Sequence, residues 1–464
     1  MSTVALILAA GFGKRMYSAT PKVLHQIAGD PSLLWVIRAL PTEIKAAVVV
    51  VHHGKELVQQ SLDLWFDNNL LPCPITTVDQ IEPLGTGHAV KQATEELDRL
   101  KADRVVILCG DVPLVRTETI LRLALSNGAV LAMDTNEPTG YGRILQHPNG
   151  SLKCIVEHAD ASPDEINIRR VNGGAYAVQW QLLKNGLNRL SNDNAKGEYY
   201  LTDAIADVAS HTQMAVELCS QTELVGMNSR IDQAHIQSCA IARINNYWMD
   251  KGVTFLDKSS TIVGPRVTLG QDVIVAPNAC LTGQVHVGSG TTIGHGCVIS
   301  DCNIGSKVNI KPYCVITRSE IGDHCTLGPF ANLREGNILE HSVHIGNFVE
   351  IKKTTLHAGV KANHLSYIGD TEIGERSNLG AGLITCNYDG FSKHKTFIGK
   401  EVFIGSDCQL VAPVTLGDQC IIGAGSTITS NIPPGSLALT RAPLLVKEGA
   451  AVHIRKKQRA KKKN

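Results

Sequence analysis

Three stretches of this chain carry residue types that could do chemistry. Near the start, LAAGFGKRM sets Gly11 and Gly13 beside Lys14 and Arg15, with Lys22 shortly after. Glycine lets a backbone approach a ligand closely, and the cations can offset phosphate charge. The loop is not a dinucleotide fingerprint, because Met16 stands where the third glycine belongs, and it lacks the GK[ST] ending of a Walker loop. A second run, VVILCGDVPL, delivers Asp111, a carboxylate able to share Mg²⁺ with phosphates; capping the next helix is the alternative. Far downstream, Arg334 and Lys352 stand eighteen residues apart, followed by His364, Tyr367, Asn378 and the loop TCNYDGFSKHKTF at 385–397. Two stacked cations repel unless an anion lies between them, and arginine suits a phosphate. Imidazole can take up or release a proton near neutral pH. Each feature alone has a plainer reading: a solvated charge, a structural histidine, a tolerated insertion.

The elements that must hold these residues are legible. Residues 1–228 alternate β-branched runs (VALILAAG, AAVVVVHH, RVVILCGD) with helical patterns. That alternation predicts an α/β domain, Rossmann-like, with a mostly parallel sheet whose carboxyl edge gathers ligands. From Val263 the chain repeats every six residues: VGPRVT, LGQDVI, VAPNAC, LTGQVH. Twenty-seven windows run to 433, and all but one, at Ala362, open with Val, Ile or Leu. A period of six fits stacked triangular coils of a parallel β-helix. Four windows, at Ile299, Ile316, Ile351 and Ile368, have five residues, and their spacing puts the short side on one face. Cys297, Cys314, Cys325, Cys408 and Cys420 share the fifth position and read as small packing residues. Between the two regions, apolar residues at 231, 234, 241, 244 and 248 form one helical stripe. The expected division is an α/β domain over 1–229, a linker helix over 230–251, a β-helix over 252–440 and a C-terminal segment over 441–464.

Bulk composition narrows the field. The chain has 464 residues, 43% hydrophobic and 19% charged, with formal net charge +1. That balance argues against a dedicated nucleic-acid or membrane binder. The tail RKKQRAKKK, at 455–463, holds seven cations and reads as a disordered, solvated end. Thirteen scattered cysteines show no CxxC pair, so free thiols in a reducing cytoplasm are expected. No stretch reaches membrane-spanning length, and no signal peptide precedes the first strand.

Taken together, the motifs resemble two known groups. LAAGFGKRM…PK, LGTGHA at 84–89 and GDVPL at 110–114 resemble sugar-1-phosphate nucleotidylyltransferases, and the six-residue period resembles the left-handed β-helix of hexapeptide acyltransferases. With PTGYGRI, IVEH, NGG and GEYYLTD in order, the chain resembles the bacterial bifunctional N-acetylglucosamine-1-phosphate uridylyltransferase/glucosamine-1-phosphate N-acetyltransferase family over nearly its whole length. The resemblance implies UTP and acetyl-CoA as co-substrates, Mg²⁺ as cofactor, glucosamine-1-phosphate and N-acetylglucosamine-1-phosphate as acceptors, and a homotrimer. By it, Leu8, Ala9, Ala10, Gly11, Gln80, Gly85, Thr86, Cys109 and Gly110 hold the nucleotide, and Gly140, Glu157 and Asn172 line the sugar pocket. Arg15 and Lys22 stabilise the phosphates in the transfer; Asp111 and Asn228 bind Mg²⁺. In the β-helix it implies His364 as base, Arg334, Lys352, Tyr367 and Asn378 on the acetyl acceptor, and acetyl-CoA along Ala381, Asn387, Tyr388, Ser406, Ala424 and Arg441. Phe12, Gly173 and Phe391 depart from the family pattern without touching a residue given to chemistry. A regulatory subunit, or a nucleotidylyltransferase with a purely scaffolding β-helix, are the rival expectations; both predict bare sites where this chain keeps charged ones.

Overall fold

Local sequence dictates two compact units, Met1–Asn246 with Val263–Pro265 and Tyr247–Ile262 with Arg266–Asn464. The structure, a computed structural model, describes residues 2–462. In the first unit the main sheet runs in the order Ala215–Leu218, Ala129–Asp134, Arg170–Gln179, Arg104–Cys109, Thr3–Leu8, Ile44–Val51, Ile75–Asp79. Thr3–Leu8 is central and parallel to both neighbours, with Leu8 level with Cys109 and with Val50. The loops after these three strands therefore emerge side by side at one edge. Strand Arg170–Gln179 is antiparallel to both of its neighbours, which makes the sheet mixed. Leu33, Ile37 and Val58 pack on one face, Leu97, Leu183 and Val208 on the other, so the central strands Thr3–Leu8, Ile44–Val51 and Arg104–Cys109 are mostly apolar.

In the second unit three parallel sheets of eleven, ten and nine short strands form the sides of a left-handed β-helix. Strands pair with those one coil away, as in Leu281↔Ile299, Ile299↔Ile316, Ile316↔Leu333 and Leu333↔Ile351. The aliphatic residue of each window points inward, and Ile299, Ile316, Leu333, Ile351 and Ile368 are fully buried. All four five-residue windows fall on this one side. The coils extend beyond the repeat read from sequence: Thr254–Phe255 pairs with Ile274–Val275 before it, and Leu437–Ala438 pairs with Ile421–Ile422 after it. Phe255 and Ala438 stand at these ends in place of the usual Val, Ile or Leu. The buried cysteines serve the stack, since Cys297, Cys325, Cys408 and Cys420 donate to the carbonyls of Lys311, Glu340, Gly423 and Pro433 at 3.1–3.3 Å. All thirteen thiols are free.

Down one corner, the rings of Tyr313, Phe330 and Phe348 stack with centroids 5.3 Å apart and planes within 9° of parallel. These rings stand on the outside, about half exposed. Close coil stacking also leaves no room for side chains at some glycines. A Cβ on Gly346 would lie 1.8 Å from the carbonyl oxygen of Asn363 in the next coil. Gly346→Ala is expected to destabilise the β-helix by about 1–3 kcal/mol, read as a lower unfolding midpoint in urea.

Two expectations are corrected. The helix after the first sheet spans Arg230–Met249, and its buried face is only partly the one read from sequence: Ile241 and Ile244 pack against the cluster of Met16, Ile27 and Met227, but Ile231 is 82% exposed, and Ile236 and Ala240, outside the stripe, are buried there. The basic tail is not irregular either. Ala450–Lys461 is helical after Gly449, consistent with the high helix propensity of Ala, Arg, Lys and Gln, and is exposed on all sides. Lys463, the last cation of that run, lies outside the described residues. Among the described residues no helix is long and apolar enough to cross a membrane.

Candidate functional site

The ends of strands Thr3–Leu8 and Arg104–Cys109, with residues that follow Ile75–Asp79, line a cavity of about 300 Å³. Leu8, Ala9, Ala10, Gly11, Lys22, Gln80, Gly85, Thr86, Cys109 and Asp111 all line it. Gly110 stands behind, its N–H bonded to the Leu8 carbonyl at 2.9 Å. Gly85 must be glycine: at φ 116° any Cβ would meet the Tyr199 carbonyl at 2.6 Å. The buried Gln80 amide donates to the Gly85 carbonyl at 3.1 Å, which pins the turn before helix Thr86–Gln92. Cys109 is no nucleophile, because burial and the Asp111 carboxylate push its thiol up to about 12.

Asp111 does not cap the following helix, whose N-cap is Arg116. Its carboxylate instead holds the Lys22 ammonium, and the Asn228 side-chain oxygen approaches the same nitrogen at 3.5 Å. Two hard oxygen donors thus already converge on one cation, the donor type that suits Mg²⁺. Among the described residues no group of three or more His, Cys, Asp or Glu could hold a metal. Arg15 is exposed and outside the cavity lining.

The residues expected around a sugar form their own group. A Cβ on Gly142 would stand 3.5 Å from Asn172 and 3.6 Å from the Glu157 carboxylate. Thr202 donates to Glu157 at 3.0 Å, and Asn172 donates to the Tyr176 hydroxyl at 2.7 Å. Burial, then Asp160 and Glu157, push the nearby Tyr200 hydroxyl up to about 12, so it stays a proton donor. Gly140 takes φ 86° in the adjoining turn, with nothing over it. Tyr200, Thr202 and the cavity-lining Glu198 were not assigned from sequence; all three lie in the quoted GEYYLTD motif.

On the β-helix the register does the positioning. Arg334 bonds to the Ile351 carbonyl and so stands level with Lys352, which is itself paired with Gly369 in the next coil. The missing side chain at Gly369 makes room for the Tyr367 hydroxyl and the Asn387 amide, which lie 2.6 and 2.8 Å from where a Cβ would be. A third cation joins them. The ammonium of Lys393, from the loop, lowers the proton affinity of Lys352, with burial and Arg334 adding to the effect. The carboxylates Glu350 and Glu335 partner Arg334 and Lys352 at 3.1 and 3.8 Å. The loop is folded: Asn387 donates to Asp370 at 2.6 Å, Asp389 accepts from Phe391, Ser392 and His394, and Tyr388 bridges to Lys393.

His364 is exposed at the corner before Tyr367, and its Nδ1 pairs with the Asn347 side-chain oxygen at 3.0 Å. Asn347 sits opposite His364 in register, one coil earlier. The same corner descends through consecutive coils: Gly382 to the His364 carbonyl, Asp407 to Ala381, Gly425 to Ser406. Arg441 then lies over Gly423 and Gly425 beside Ala424. His364, Ala381, Ser406, Ala424 and Arg441 therefore share one strip. Asn378 is half-buried, paired with Lys361 on the side next to it. Asn347 and Lys393 were missed in the sequence, although the 17-residue coil step back from His364 points at Asn347.

A family model described as a MobA-like NTP transferase domain matches residues 5–161. Models described as the GMPPB C-terminal domain and as the bacterial transferase hexapeptide (six repeats) match 263–355 and 395–430. The Bifunctional protein GlmU of Trichlorobacter lovleyi is 43% identical over 455 residues, covering 96% of this chain and 97% of that one. The protein of the same description from Stutzerimonas stutzeri is 45% identical, covering 95% and 97%. That from Pelobacter propionicus is 42% identical, covering 98% and 99%. With a nucleotidyltransferase sheet and a hexapeptide β-helix in one chain, and matches that run almost end to end, this chain belongs to the bifunctional GlmU family.

Proposed function

We propose that the chain acetylates glucosamine-1-phosphate with acetyl-CoA on the β-helix. At the sheet edge it then transfers UMP from UTP to N-acetylglucosamine-1-phosphate, giving UDP-N-acetylglucosamine and pyrophosphate. The observation that carries this reading is the convergence of Arg334, Lys352 and Lys393, with Lys352 one coil before the coil of His364. A bare scaffold needs none of them.

In the first reaction the acceptor's phosphate lies between the three cations, with Tyr367 and Asn378 at the sugar. Its amine attacks the thioester carbonyl while His364 takes the departing proton; the C–S bond breaks and coenzyme A leaves. Asn347 accepts from Nδ1–H and so leaves Nε2 as the basic nitrogen. Acetyl-CoA lies along Ala381, Ser406, Ala424 and Arg441, with Asn387 and Tyr388 beside it. In the second reaction a sugar phosphate oxygen attacks the α-phosphorus in line and pyrophosphate departs. Gln80, Gly85 and Thr86 hold the base, Gly140, Glu157 and Asn172 the sugar, and Lys22 with Arg15 offsets phosphate charge. Mg²⁺ at Asp111 and Asn228 supplies further charge neutralisation when bound. The protein acts as a homotrimer, a reading supported by the half-exposed Tyr313–Phe330–Phe348 stack on the β-helix.

Two assays on one preparation test the reading: thiol release from acetyl-CoA with glucosamine-1-phosphate, and pyrophosphate release from UTP with N-acetylglucosamine-1-phosphate. Both should be positive; pyrophosphate alone would reduce the β-helix to a scaffold. Lys393→Ala should raise the KM for glucosamine-1-phosphate about tenfold or more, as expected for one lost charge-assisted bond. The KM for acetyl-CoA should stay unchanged.

A further inference from the structure

The glycine loop over the nucleotide cavity poses a mechanical problem. Among the described residues, the backbone N–H groups of Gly11, Phe12 and Gly13 have no protein acceptor. Such groups are free for phosphate oxygens, and the backbone bond from the Met16 N–H to the Gly13 carbonyl at 2.8 Å ties the loop only to its own following turn. Two of its three residues are glycines, and Gly13 takes the left-handed conformation at φ 58°. A loop of that kind loses much conformational freedom when a triphosphate orders it.

Phe12 supplies a restraint. Its ring meets His52 edge-on at 4.9 Å and stacks on His53 at 5.7 Å, and the Lys14 ammonium lies 5.7 Å from its centroid. His52 and His53 directly follow strand Ile44–Val51, the parallel neighbour of Thr3–Leu8. The ring therefore fastens the loop after the central strand to the loop after the adjacent one, at the rim of the cavity. Phe12 is 44% exposed, so these ring contacts, not burial in the core, set its place.

We propose that Phe12, clasped by His52 and His53, is a positioning residue that pre-sets the glycine loop for the triphosphate of UTP. It acts through the loop, and the proposal rests on the uridylyltransferase reading of this cavity. The clasp lowers the ordering cost of nucleotide binding and leaves the chemical step alone.

The test is steady-state pyrophosphate release by the full chain with varied UTP. In Phe12→Ala, and separately in the double variant His52→Ala/His53→Ala, the KM for UTP should rise about tenfold, the size expected for losing two ring contacts. In the double variant kcat should stay within about twofold and the KM for N-acetylglucosamine-1-phosphate should not move. Phe12→Tyr, which keeps the ring, should restore the KM. If Phe12→Ala does not fold, the histidine pair decides alone. An unchanged KM in the double variant overturns the clasp, including the case where Phe12→Ala alone is impaired, since the ring would then be acting on the nucleotide directly. Absence of pyrophosphate from the unaltered protein would instead sink the uridylyltransferase reading itself.

Discussion

With alanine at position 364, coenzyme A release from acetyl-CoA and glucosamine-1-phosphate is expected to fall about 10²–10⁴-fold, the usual worth of a positioned general base. Pyrophosphate release by the same protein should not change. An amine that attacks while still holding its proton generates an ammonium next to Arg334, Lys352 and Lys393, an unfavourable place for another positive charge. The base removes that charge as it forms. His364 is exposed, so alanine there leaves no buried cavity, and unfolding midpoints should match those of the parent. The loss should therefore appear in kcat. A drop confined to the KM for glucosamine-1-phosphate would make His364 a binding residue and leave the base unidentified.

The mirror-image result is expected at the other site. Asp111→Asn keeps the shape of the side chain and removes its charge. Uridylyl transfer should fall about 10²–10³-fold, on the scale of losing one group that stabilises developing charge, with acetyl transfer intact. The substitution also frees Lys22 from its carboxylate partner. If Asp111 serves only to hold Lys22, the variant should lose activity without any change in Mg²⁺ dependence. If it binds the metal, the Mg²⁺ concentration for half-maximal activity should rise more than the KM for UTP does. A variant retaining parental activity would remove Asp111 from the mechanism altogether.

Much of this architecture could be read from the chain because its repeats are enforced by packing. An inward position in a narrow β-helix accepts a limited set of side chains, so Ile299, Ile316, Ile351 and Ile368 disclose both the coil and its short side. Leu8, Asp111 and the glycine loop were legible for a related reason: strand ends in a parallel sheet gather at one edge. What escaped depended on partners far apart in sequence. Asn347 looks like any polar residue until register places it against His364. Lys393 is one of two lysines in the loop, and the hairpin fold of that loop selects it. The direction of strand Arg170–Gln179 was not legible either, since the stretch Ala175–Val178 is buried and apolar like the parallel strands of the sheet and carries no mark of its direction. The helix Arg230–Met249 has apolar residues on more than one face, and the surface it packs against decided which were buried.

The strip that descends from His364 through Ala381, Ser406 and Ala424 to Arg441 has a metrical side. Each coil step is one strand spacing of about 4.8 Å, so the three steps from His364 to Ala424 span roughly 14 Å along the axis, and the Arg441 side chain folds over their end. Backbone hydrogen bonds hold that length, and side chains can change along it without altering the gauge. Distance is thus written in whole coils: inserting one would lengthen the strip by a single increment and keep every residue on its own corner. A chain built this way can fix the reach of an elongated ligand in integers, and leave the choice of contacts to whichever residues happen to stand on the marks.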